Sequence, residues 1–408
     1  MFKFILDRVK QICDGGLPVF FKKTRSLIEI IIAIPLVLAV RALRPFVLIR
    51  FGGIQSARIG HFAMEPEVYL CERDIGNFIP HSFDFFHFYW KISNSQLAKM
   101  WKRKLSIYSF VYVLSRVNKW LPGYEAHEIK RHYILNIHGI LAKTSTHLSF
   151  TPQEDSLGRE AITKLGVPED ADFVCFLARD QVYLNTWLSK DLSNPGDCEY
   201  LYRNSSIHNY LLAMEELTKL GYYVFRMGAI VEEPLKTNNQ MIIDYAIKYR
   251  SEFLDIYLSA KCSFFVIDTA GLGFVPVIFR RPIAFTNIIP LEHGSTWHKD
   301  SLWLPKKLWH KNERRFLSFY EILELGAAKM NKTSEYQKAG LEIVENTSDE
   351  IADLVMEMDM RLKGTWYPSE EDEDLQQRFN TLIKQSPLHG EILARIGAKF
   401  LHQNRDLL

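Results

Sequence analysis

The segment of this chain that suggests chemistry most directly is residues 264–285, FFVIDTAGLGFVPVIFRRPIAF. An apolar, strand-like run ends at Asp268 and is followed by Thr269, Ala270 and Gly271 before a helix-like run begins. Free N–H groups and the dipole at the start of a helix favour an anion, and a threonine hydroxyl can cap the helix or donate to a phosphate. The segment therefore predicts a phosphate-binding turn, with a plain capped helix as the alternative.

A second apolar run, FVCFLARD at residues 173–180, ends in Arg179 and Asp180. An arginine at the end of a strand can grip a phosphate with paired N–H donors. The alternative is a salt bridge between these two neighbours or with a nearby helix. A third run, GYYVFRMG at residues 221–228, ends in Gly228, which would let a ligand approach closely or simply form a turn.

The run that comes first in the chain leads into RFGGIQSARIGH, residues 50–61. Gly52 and Gly53 predict a tight turn that a ligand can approach, and Arg58 follows close behind. His61 can accept a proton near neutral pH, and Glu65 lies one helical turn later, so both could face one cleft. The alternative is a hydrogen-bonded structural histidine.

These polar ends belong to a chain in which strand-like and helix-like segments alternate. The strand-like segments are PFVLIRFGG (45–53), FVCFLARD (173–180), GYYVFRMG (221–228), CSFFVID (262–268) and RPIAFTN (281–287). Helical patterns lie between them, as in residues 207–220 and 252–261. This alternation predicts an α/β protein with parallel sheets covered by helices. Ligands of such sheets bind beyond the carboxyl ends of the strands, where the polar residues lie.

Composition narrows the class of protein. The chain has 408 residues, 47% of them hydrophobic and 24% charged, with a net charge of +2. These values fit a globular protein and give no sign of nucleic-acid binding. The five cysteines are far apart and form no CxxC pair, so we expect neither disulfides nor a zinc site. This use of cysteine fits a protein of the reducing cytosol.

The N-terminal 45 residues combine basic side chains with an apolar run. Six basic residues precede position 26, and residues 30–40 read IIIAIPLVLAV. The run is too short to cross a bilayer, which needs about 20 apolar residues. It predicts either a buried helix or a helix lying on a membrane surface, where the basic residues would help.

Several well-known phosphate and metal motifs are missing from the sequence. There is no GxxxxGK[ST], HExxH or GxSxG, and GLGFVP has Pro276 where a dinucleotide-binding motif has its third glycine. Two Asp-x-Asp pairs occur. The pair at 170–172 precedes a strand, and the pair at 372–374 lies in an acidic run. We therefore expect no metal site and no cofactor.

Four segments together carry a family resemblance: residues 50–61, 202–228, 244–287 and the tail ARIGAKFLHQNRDLL. As a set they resemble an uncharacterised family of bacterial proteins assigned as glycosyltransferases and encoded with surface-polysaccharide genes. The similarity runs from about residue 33 to the end of the chain, and no single motif is specific by itself. The resemblance implies a GT-B-like arrangement, with two Rossmann-like domains facing across a cleft.

On that resemblance the chain divides into four parts. Residues 1–45 form a helical segment that associates with membranes, 46–165 an acceptor domain, 166–370 a nucleotide-sugar domain, and 371–408 helices that pack back toward the acceptor domain. Expected partners are a nucleotide-sugar donor, a glycan or lipid-linked acceptor and a membrane surface, without nucleic acid. The protein would be cytoplasmic and peripheral on the inner face of the membrane.

The resemblance implies no catalytic residues, so the roles of the strand ends are assigned from their positions. Enzymes with this arrangement resemble one another in holding the leaving diphosphate with helix dipoles and basic side chains instead of a metal. The diphosphate is assigned to Arg179 and the turn 269–271, with Asp180 at the same site. The catalytic base is assigned to His61, or to Glu65 as second choice. Further contacts are assigned to Met227 and Gly228 in the nucleotide pocket, Arg226 and Asn287 at the nucleotide or sugar, and Gly52, Gly53 and Arg58 on the acceptor side.

Two other functions stay open at this point. A nucleotide-sugar epimerase could have the same architecture without any affinity for membranes. A catalytically silent scaffold in a membrane polysaccharide complex would bind no nucleotide.

Overall fold

The computed structural model describes residue 21 and residues 24–76, 79–130, 139–188, 195–294, 296–383 and 391–408. The five predicted strand-like segments all form strands. The strands are β1 (Leu48–Ile54), β2 (Ser82–Phe88), β3 (Phe173–Leu177), β4 (Tyr223–Arg226), β5 (Ile242–Ile243), β6 (Phe265–Ile267), β7 (Ile283–Ile288), β8 (Ser301–Pro305), β9 (Lys307–His310), β10 (Arg315–Phe316), β11 (Leu341–Val344) and β12 (Arg395–Ile396).

Helices connect most of these strands. They are α1 (24–42), α2 (Ile59–Asp74), α3 (Ser95–Lys104), α4 (Val111–Asn118), α5 (Pro152–Lys164), α6 (Val182–Leu188), α7 (Leu211–Lys219), α8 (Tyr245–Lys248), α9 (Glu252–Lys261), α10 (Phe274–Ile278), α11 (Phe319–Glu324), α12 (Thr333–Lys338), α13 (Ser348–Leu362), α14 (Glu370–Ile383) and α15 (Ala398–Gln403). Both predicted helical patterns appear, as α7 and α9.

Seven parallel strands form the large sheet, in the order β12-β8-β7-β6-β3-β4-β5. Its central strands β3, β6 and β7 are buried along their whole length, as their continuous apolar runs require. From β3 the chain builds outward through β4 and β5, and from β6 it builds in the opposite direction. The order of the strands therefore reverses between β3 and β6, which is where ligands of doubly wound sheets bind.

The N-terminal region contains a smaller sheet in which β1 and β2 run parallel. Gly52 and Gly53 lie inside β1, opposite Phe86 and His87, so the predicted turn at these glycines is wrong. A Cβ at Gly52 would lie 2.9 Å from the Phe86 ring, and one at Gly53 would lie 2.7 Å from Tyr89. The glycines make room for aromatic rings of the neighbouring strand and its extension.

One continuous hydrophobic core joins the large sheet to α2 and α3, and a second, smaller cluster lies under α1. We call the second set the α1 cluster; it consists of Ile30, Ala33, Val37, Phe51, Val111, Leu114 and Val117. Within the described part of residues 46–165, which were predicted to form a Rossmann-like domain, the sheet consists of β1 and β2. The α/β class with a parallel sheet is confirmed, while a second Rossmann-like domain remains a prediction.

Two predicted boundaries differ from the contacts of the chain. Helix α5 touches both sides of the boundary placed at residue 165, since Glu154 binds Arg103 of α3 and Asp155 binds Tyr257 of α9. The described residues of the C-terminal segment pack on α13, and β12 pairs with β8 of the large sheet, while packing toward the N-terminal region stays a prediction. Burial of Phe379 against Trp303 accounts for that position.

Among the described residues, no helix is both long enough and apolar enough to span a membrane. Of the predicted membrane-associating segment, residues 1–20, 22 and 23 lie outside the described residues. Helix α1 buries one face in the α1 cluster and leaves large apolar side chains exposed on the rest of its surface, including Leu27, Ile31 and Leu38.

Candidate active site

The candidate site lies where the strand order of the large sheet reverses. Strands β3 and β6 are parallel neighbours, paired through Leu177 and Ile267. Arg179 follows the end of β3 by two residues, and Asp268 follows β6 directly. The two strand ends that the sequence singled out for an anion are therefore adjacent at one edge of the sheet.

Asp268 is the buried centre of this edge, with 1% of its surface exposed. One carboxylate oxygen accepts hydrogen bonds from the Arg179 backbone N–H at 2.7 Å and from the Ser205 hydroxyl at 2.6 Å. Burial raises the pKa of Asp268, although these hydrogen bonds and the charges of Arg179 and Lys306 oppose that rise. Asp268 thus fixes the loop that carries Arg179.

Two further cations face Asp268 at this edge. Arg203 donates from Nε to the Thr269 hydroxyl at 3.1 Å and also to the Thr269 carbonyl. Lys306 is 5% exposed and donates to the Tyr202 carbonyl at 3.2 Å, which holds the segment that carries Arg203. Burial lowers the pKa of both cations. Three cations are therefore gathered around one buried carboxyl.

Arg179 is the cation that faces open space. Its side chain lines a cavity of about 230 Å³ that Asp180, Ser205, Arg226 and Glu345 also line. Within the described residues its guanidinium makes no hydrogen bond or ion pair. Burial, and then the neighbouring charge of Arg203, lower the pKa of Arg179 to about 10. The guanidinium is partly buried and lies near the charge of Arg203, and a bound anion would supply it with acceptors.

The turn after β6 differs from the predicted helix cap. Gly271–Gly273 form a 3₁₀ turn, α10 has five residues, and no side chain caps either element. The Thr269 hydroxyl accepts a hydrogen bond from Arg203 instead of capping a helix. Such a short helix offers little dipole, so the anion-binding capacity of this edge comes mainly from the basic side chains.

His61 and Glu65 form a pair in the first two turns of α2. His61 Nδ1 lies 2.8 Å from a carboxylate oxygen of Glu65. The imidazole is 35% exposed, whereas the Glu65 side chain is 11% exposed. A carboxylate behind a partly exposed imidazole fixes its orientation and favours Nδ1 as the protonated nitrogen, leaving Nε2 to accept a proton. The two side chains are therefore in contact, and their facing a common cleft stays a prediction.

The start of α2 adjoins the turn after β6. A Cβ at Gly60 would lie 3.2 Å from the Gly271 carbonyl oxygen and 2.9 Å from the Phe274 ring. Arg58, at the start of α2, is close enough to Arg203 that its charge lowers the pKa of Arg203. The structure therefore brings Arg58 and the residue preceding His61 to the same junction as Thr269 and Arg203.

Two residues that were predicted to contact the donor, Asp180 and Arg226, instead form hydrogen bonds with other groups of the protein. Asp180 accepts from the Val182 backbone N–H at 3.0 Å and from the Glu232 N–H at 2.9 Å. Arg226 is 2% exposed and donates to Asp244 at 3.1 Å and to the Glu233 carbonyl at 3.2 Å. Both side chains line the cavity, but their bonds hold its walls in place.

Three other predicted contacts are corrected by burial or backbone geometry. Met227 is fully buried in the core. Gly228 has φ of +151°, and a Cβ there would lie 2.4 Å from Val231, so glycine is required by the turn. Asn287 is fully buried and exchanges hydrogen bonds of 2.6 and 2.8 Å with Asn346. None of the three offers a side chain to a ligand in this arrangement.

Sequence reasoning missed Arg203, Ser205 and Lys306. Lys306 follows β8 directly, so a reading of that strand end would have found it. Arg203 ends a 3₁₀ segment and Ser205 follows it, and no pattern in the sequence predicts that this segment lies beside Asp268. Inspection of strand ends alone cannot identify site residues that lie in loops or 3₁₀ segments.

In the described part of the chain, one group of side chains is suited to hold a metal: Glu67, Cys71 and His147. It lies along α2 beyond His61 and away from the basic edge. The expectation that the cysteines form no zinc site rested on the absence of CxxC, and it overlooked this mixed set of ligands.

Comparison with known proteins finds no match in sequence and a distant similarity in structure. No protein-family model matches the sequence, and no curated protein matches it. The structure is distantly similar to the glycosyl transferase family 9 from Veillonella parvula DSM 2008, with a TM-score of 0.40, 10% identity, and 84% of this chain and 98% of that chain covered. It is also similar to the E. coli ADP-heptose lps heptosyltransferase II, with a TM-score of 0.35, 10% identity, and 62% and 90% covered.

Proposed function

We propose that the protein is a glycosyltransferase that moves a sugar from a nucleotide-sugar donor to a glycan or lipid-linked acceptor in surface-polysaccharide synthesis. The observation that carries this proposal is the guanidinium of Arg179, which has no protein partner in the described residues and lines a cavity at the reversal point of the large sheet. A diphosphate would supply acceptors to Arg179 and offset the excess of cations around Asp268, where Arg179, Arg203 and Lys306 face a single carboxyl.

The basic edge suits a leaving group that gains negative charge. As the bond between the anomeric carbon and the diphosphate breaks, Arg179 and Arg203 stabilise the departing oxygens, with Lys306 holding Arg203 in position. These cations supply the charge neutralisation for which a divalent metal is used elsewhere. The acidic lining of the cavity, such as Glu345, suits the hydroxyl groups of a ribose or a sugar.

His61 is the proposed base. Its Nε2 takes the proton of the acceptor hydroxyl while that oxygen attacks the anomeric carbon and the diphosphate leaves, which inverts the configuration. Glu65 is a positioning residue, because it binds Nδ1 and stabilises the imidazolium that forms. Contact between Gly60 and the Gly271–Phe274 segment supports the proximity of this base to the basic edge.

Calorimetry with UDP, GDP, ADP and CMP tests the donor site. Losing a charged hydrogen bond costs about 1.5–3 kcal/mol, so Arg179→Ala should weaken binding of the preferred nucleotide by roughly 10- to 150-fold. The matched control is Arg159→Ala, which removes an arginine from the surface of α5. Thr269→Val should have a smaller effect, because it removes only one acceptor of Arg203.

The outcomes of the same experiment separate the other functions. Equal affinity in Arg179→Ala and the control would overturn the donor site. No binding of any nucleotide by the unaltered chain would favour the silent scaffold. The epimerase needs a separate assay, in which the chain is incubated with a nucleotide-sugar and no acceptor; conversion of that sugar to its epimer would favour this function.

A membrane-facing role for α1 belongs to the same proposal, with the protein peripheral on the inner face of the cytoplasmic membrane. The apolar side chains Leu27, Ile31 and Leu38 are each more than half exposed on the outside of this helix. Full burial of such a side chain contributes roughly 1.5–3 kcal/mol, so three of them entering the lipid boundary would hold the protein on a membrane.

Flotation with anionic and neutral liposomes tests this role. Replacing Leu27, Ile31 and Leu38 by serine should abolish flotation with anionic liposomes. The control replaces the equally exposed Leu157, Leu220 and Leu325, which lie away from α1. Equal flotation of the two triple variants would contradict the membrane role, as would an unaltered chain that never floats.

A further inference from the structure

A cluster of polar side chains lies on the part of α2 that faces residues 139–150 and the end of α10. Glu67 and Cys71 are one helical turn apart on α2, and His147 reaches them from the segment before α5. Glu67 and Cys71 have no exposed surface, and His147 is largely buried. A carboxylate, a thiol and an imidazole thus meet away from solvent and away from the proposed active site.

The ligand atoms of these residues lie close together. One atom from each of the three side chains falls within 4.8 Å of the others, and His147 Nδ1 is 3.1 Å from Glu67 Oε1. The second Glu67 oxygen, Oε2, is buried and has no hydrogen-bond partner in the described structure, and the same holds for His147 Nδ1. Glu67 Oε2 thus has lone pairs to offer, and His147 Nδ1 offers one when its proton is displaced.

The surroundings of the cluster orient each ligand. His147 Nε2 lies 2.9 Å from the Asp74 carboxylate, which would keep a proton on that nitrogen once a metal binds Nδ1. Thr144 donates its hydroxyl to Cys71 Sγ at 2.9 Å, and Arg280 approaches the same sulfur at 3.5 Å. The sulfur is thus held in place by two donors and is directed at the same point as Glu67 and His147.

We propose that Glu67, Cys71 and His147 bind one divalent cation of the zinc type. A thiolate, an imidazole and a carboxylate together suit zinc, whose preferred ligands include all three. Zinc takes four ligands, so the fourth position would be filled by water or by a small shift of a neighbouring side chain. The bound ion would join α2 to the segment that carries His147.

Arg280 is compatible with such a site. It binds Glu67 Oε1 at 2.7 Å and is held by the Ile278 carbonyl at 2.8 Å and the Ser145 carbonyl at 3.1 Å. These bonds leave Glu67 Oε2 for the metal and place a positive charge beside two anionic ligands. The total charge of the metal, the two anions and Arg280 is +1, so the site does not bury a large charge.

The alternative is an ion-pair cluster without a metal. Burial would lower the pKa of His147, but hydrogen bonds to Cys71 and Glu67 raise it to about 10. In the metal-free chain the imidazole therefore carries a proton that a metal has to displace. The two alternatives therefore differ in one respect: either the ion displaces the proton of His147, or the cluster remains a set of ion pairs.

Metal content and cobalt spectroscopy of the full chain test the proposal. We expect about one zinc per chain after purification or after incubation with Zn²⁺. Chelator-treated protein titrated with Co²⁺ should develop a thiolate-to-cobalt charge-transfer band. Cys71→Ser should abolish the band, and Cys175→Ser, which alters a buried thiol in β3, should leave it unchanged.

A milder variant covers the case in which Cys71→Ser fails to fold. Asp74→Asn removes only the outer carboxylate behind His147, at an exposed position, and should weaken Co²⁺ binding by roughly 10- to 100-fold. His402→Ala, whose ring pairs with Asp372 far along the chain, is its control. A chain that binds neither metal, or a full charge-transfer band in Cys71→Ser, would overturn the proposal and leave an ion-pair cluster.

Discussion

The large sheet and the α1 cluster differ in what they bury and what they expose to solvent. At the carboxyl edge of the large sheet, Asp268 and Lys306 are buried, Arg203 is partly buried, and hydrogen bonds hold all three. Around the α1 cluster, seven buried residues support a helix whose outer side chains are apolar and exposed. One region hides charges that require partners, and the other exposes apolar surface that water solvates poorly.

The difference indicates where each region can gain free energy from a ligand. An anion at the basic edge would relieve desolvated cations, so this edge suits a small, charged ligand of defined geometry. An apolar surface on α1 gains by contact with any apolar partner of sufficient area. His61 lies on α2, which packs against the turn after β6 and also against β1, the strand that contributes Phe51 to the α1 cluster.

The largest effect that we expect is at this junction. His61→Ala should lower transfer turnover by roughly 10²- to 10⁴-fold, because the acceptor hydroxyl would lose its base. Donor affinity measured by calorimetry should stay unchanged, since His61 is not among the basic groups around Asp268. Glu65→Gln should give a smaller loss, and His402→Gln is the control. Turnover near that of the unaltered enzyme would move the base elsewhere.

The next effect compares the two cores directly. Ile256 of α9 is completely buried in the main core, so Ile256→Ala should cost about 3–5 kcal/mol of unfolding free energy. Ile30→Ala in the α1 cluster should cost about 1–2 kcal/mol, because a small cluster under one helix can collapse around the missing atoms. Urea unfolding measures both values. Equal losses would mean that the α1 cluster is as tightly packed as the main core.

A third effect concerns acid stability, in the region of the large sheet. His298 is buried between Trp297 and the start of β8, and burial lowers its pKa to about 4. As the pH falls, the unfolded chain takes up this proton near pH 6.5, before the folded chain does. The contribution of the neutral ring is therefore present above pH 6.5 and lost between pH 6.5 and 4, and it amounts to about 3 kcal/mol.

Replacing His298 by leucine should remove this part of the pH dependence. The groups whose charges act on the ring are Asp300, Arg280 and Lys299, so their variants must not be combined with it. Unfolding free energies at pH 7 and pH 4.5 should then differ less in His298→Leu than in the unaltered chain. An unchanged difference would show that the acid sensitivity lies in other groups.

The sequence predicted strands better than it predicted the side chains around them. Apolar runs identified β1, β3, β4, β6 and β7, because a strand buried on both faces must be apolar throughout. The neighbourhood of Arg179 and Asp268 followed from the rule for parallel strands. Asn287 and Met227 also follow or end strands, but their side chains point into the core, and the sequence does not encode that direction clearly.

Contacts between distant segments account for the rest of the site. Arg203 reaches Thr269 across 66 positions of the chain, and Arg280 reaches Cys71 across 209. Gly52 looks like a turn glycine until Phe86 is seen to occupy the space of its side chain. Such residues depend on how elements pack, which no local pattern reveals.

The bare backbone contact between Gly60 and Gly271 makes the spacing of the two regions an experimental variable. Neither residue has a side chain, and a Cβ on Gly60 would meet the Gly271 carbonyl oxygen at 3.2 Å. Alanine, serine and valine at position 60 would therefore wedge α2 outward by increasing amounts. His61 is the next residue, so the gap between the base and Arg203 would widen with each step. A plot of turnover against side-chain volume at position 60 would then read out how closely the reaction depends on that gap.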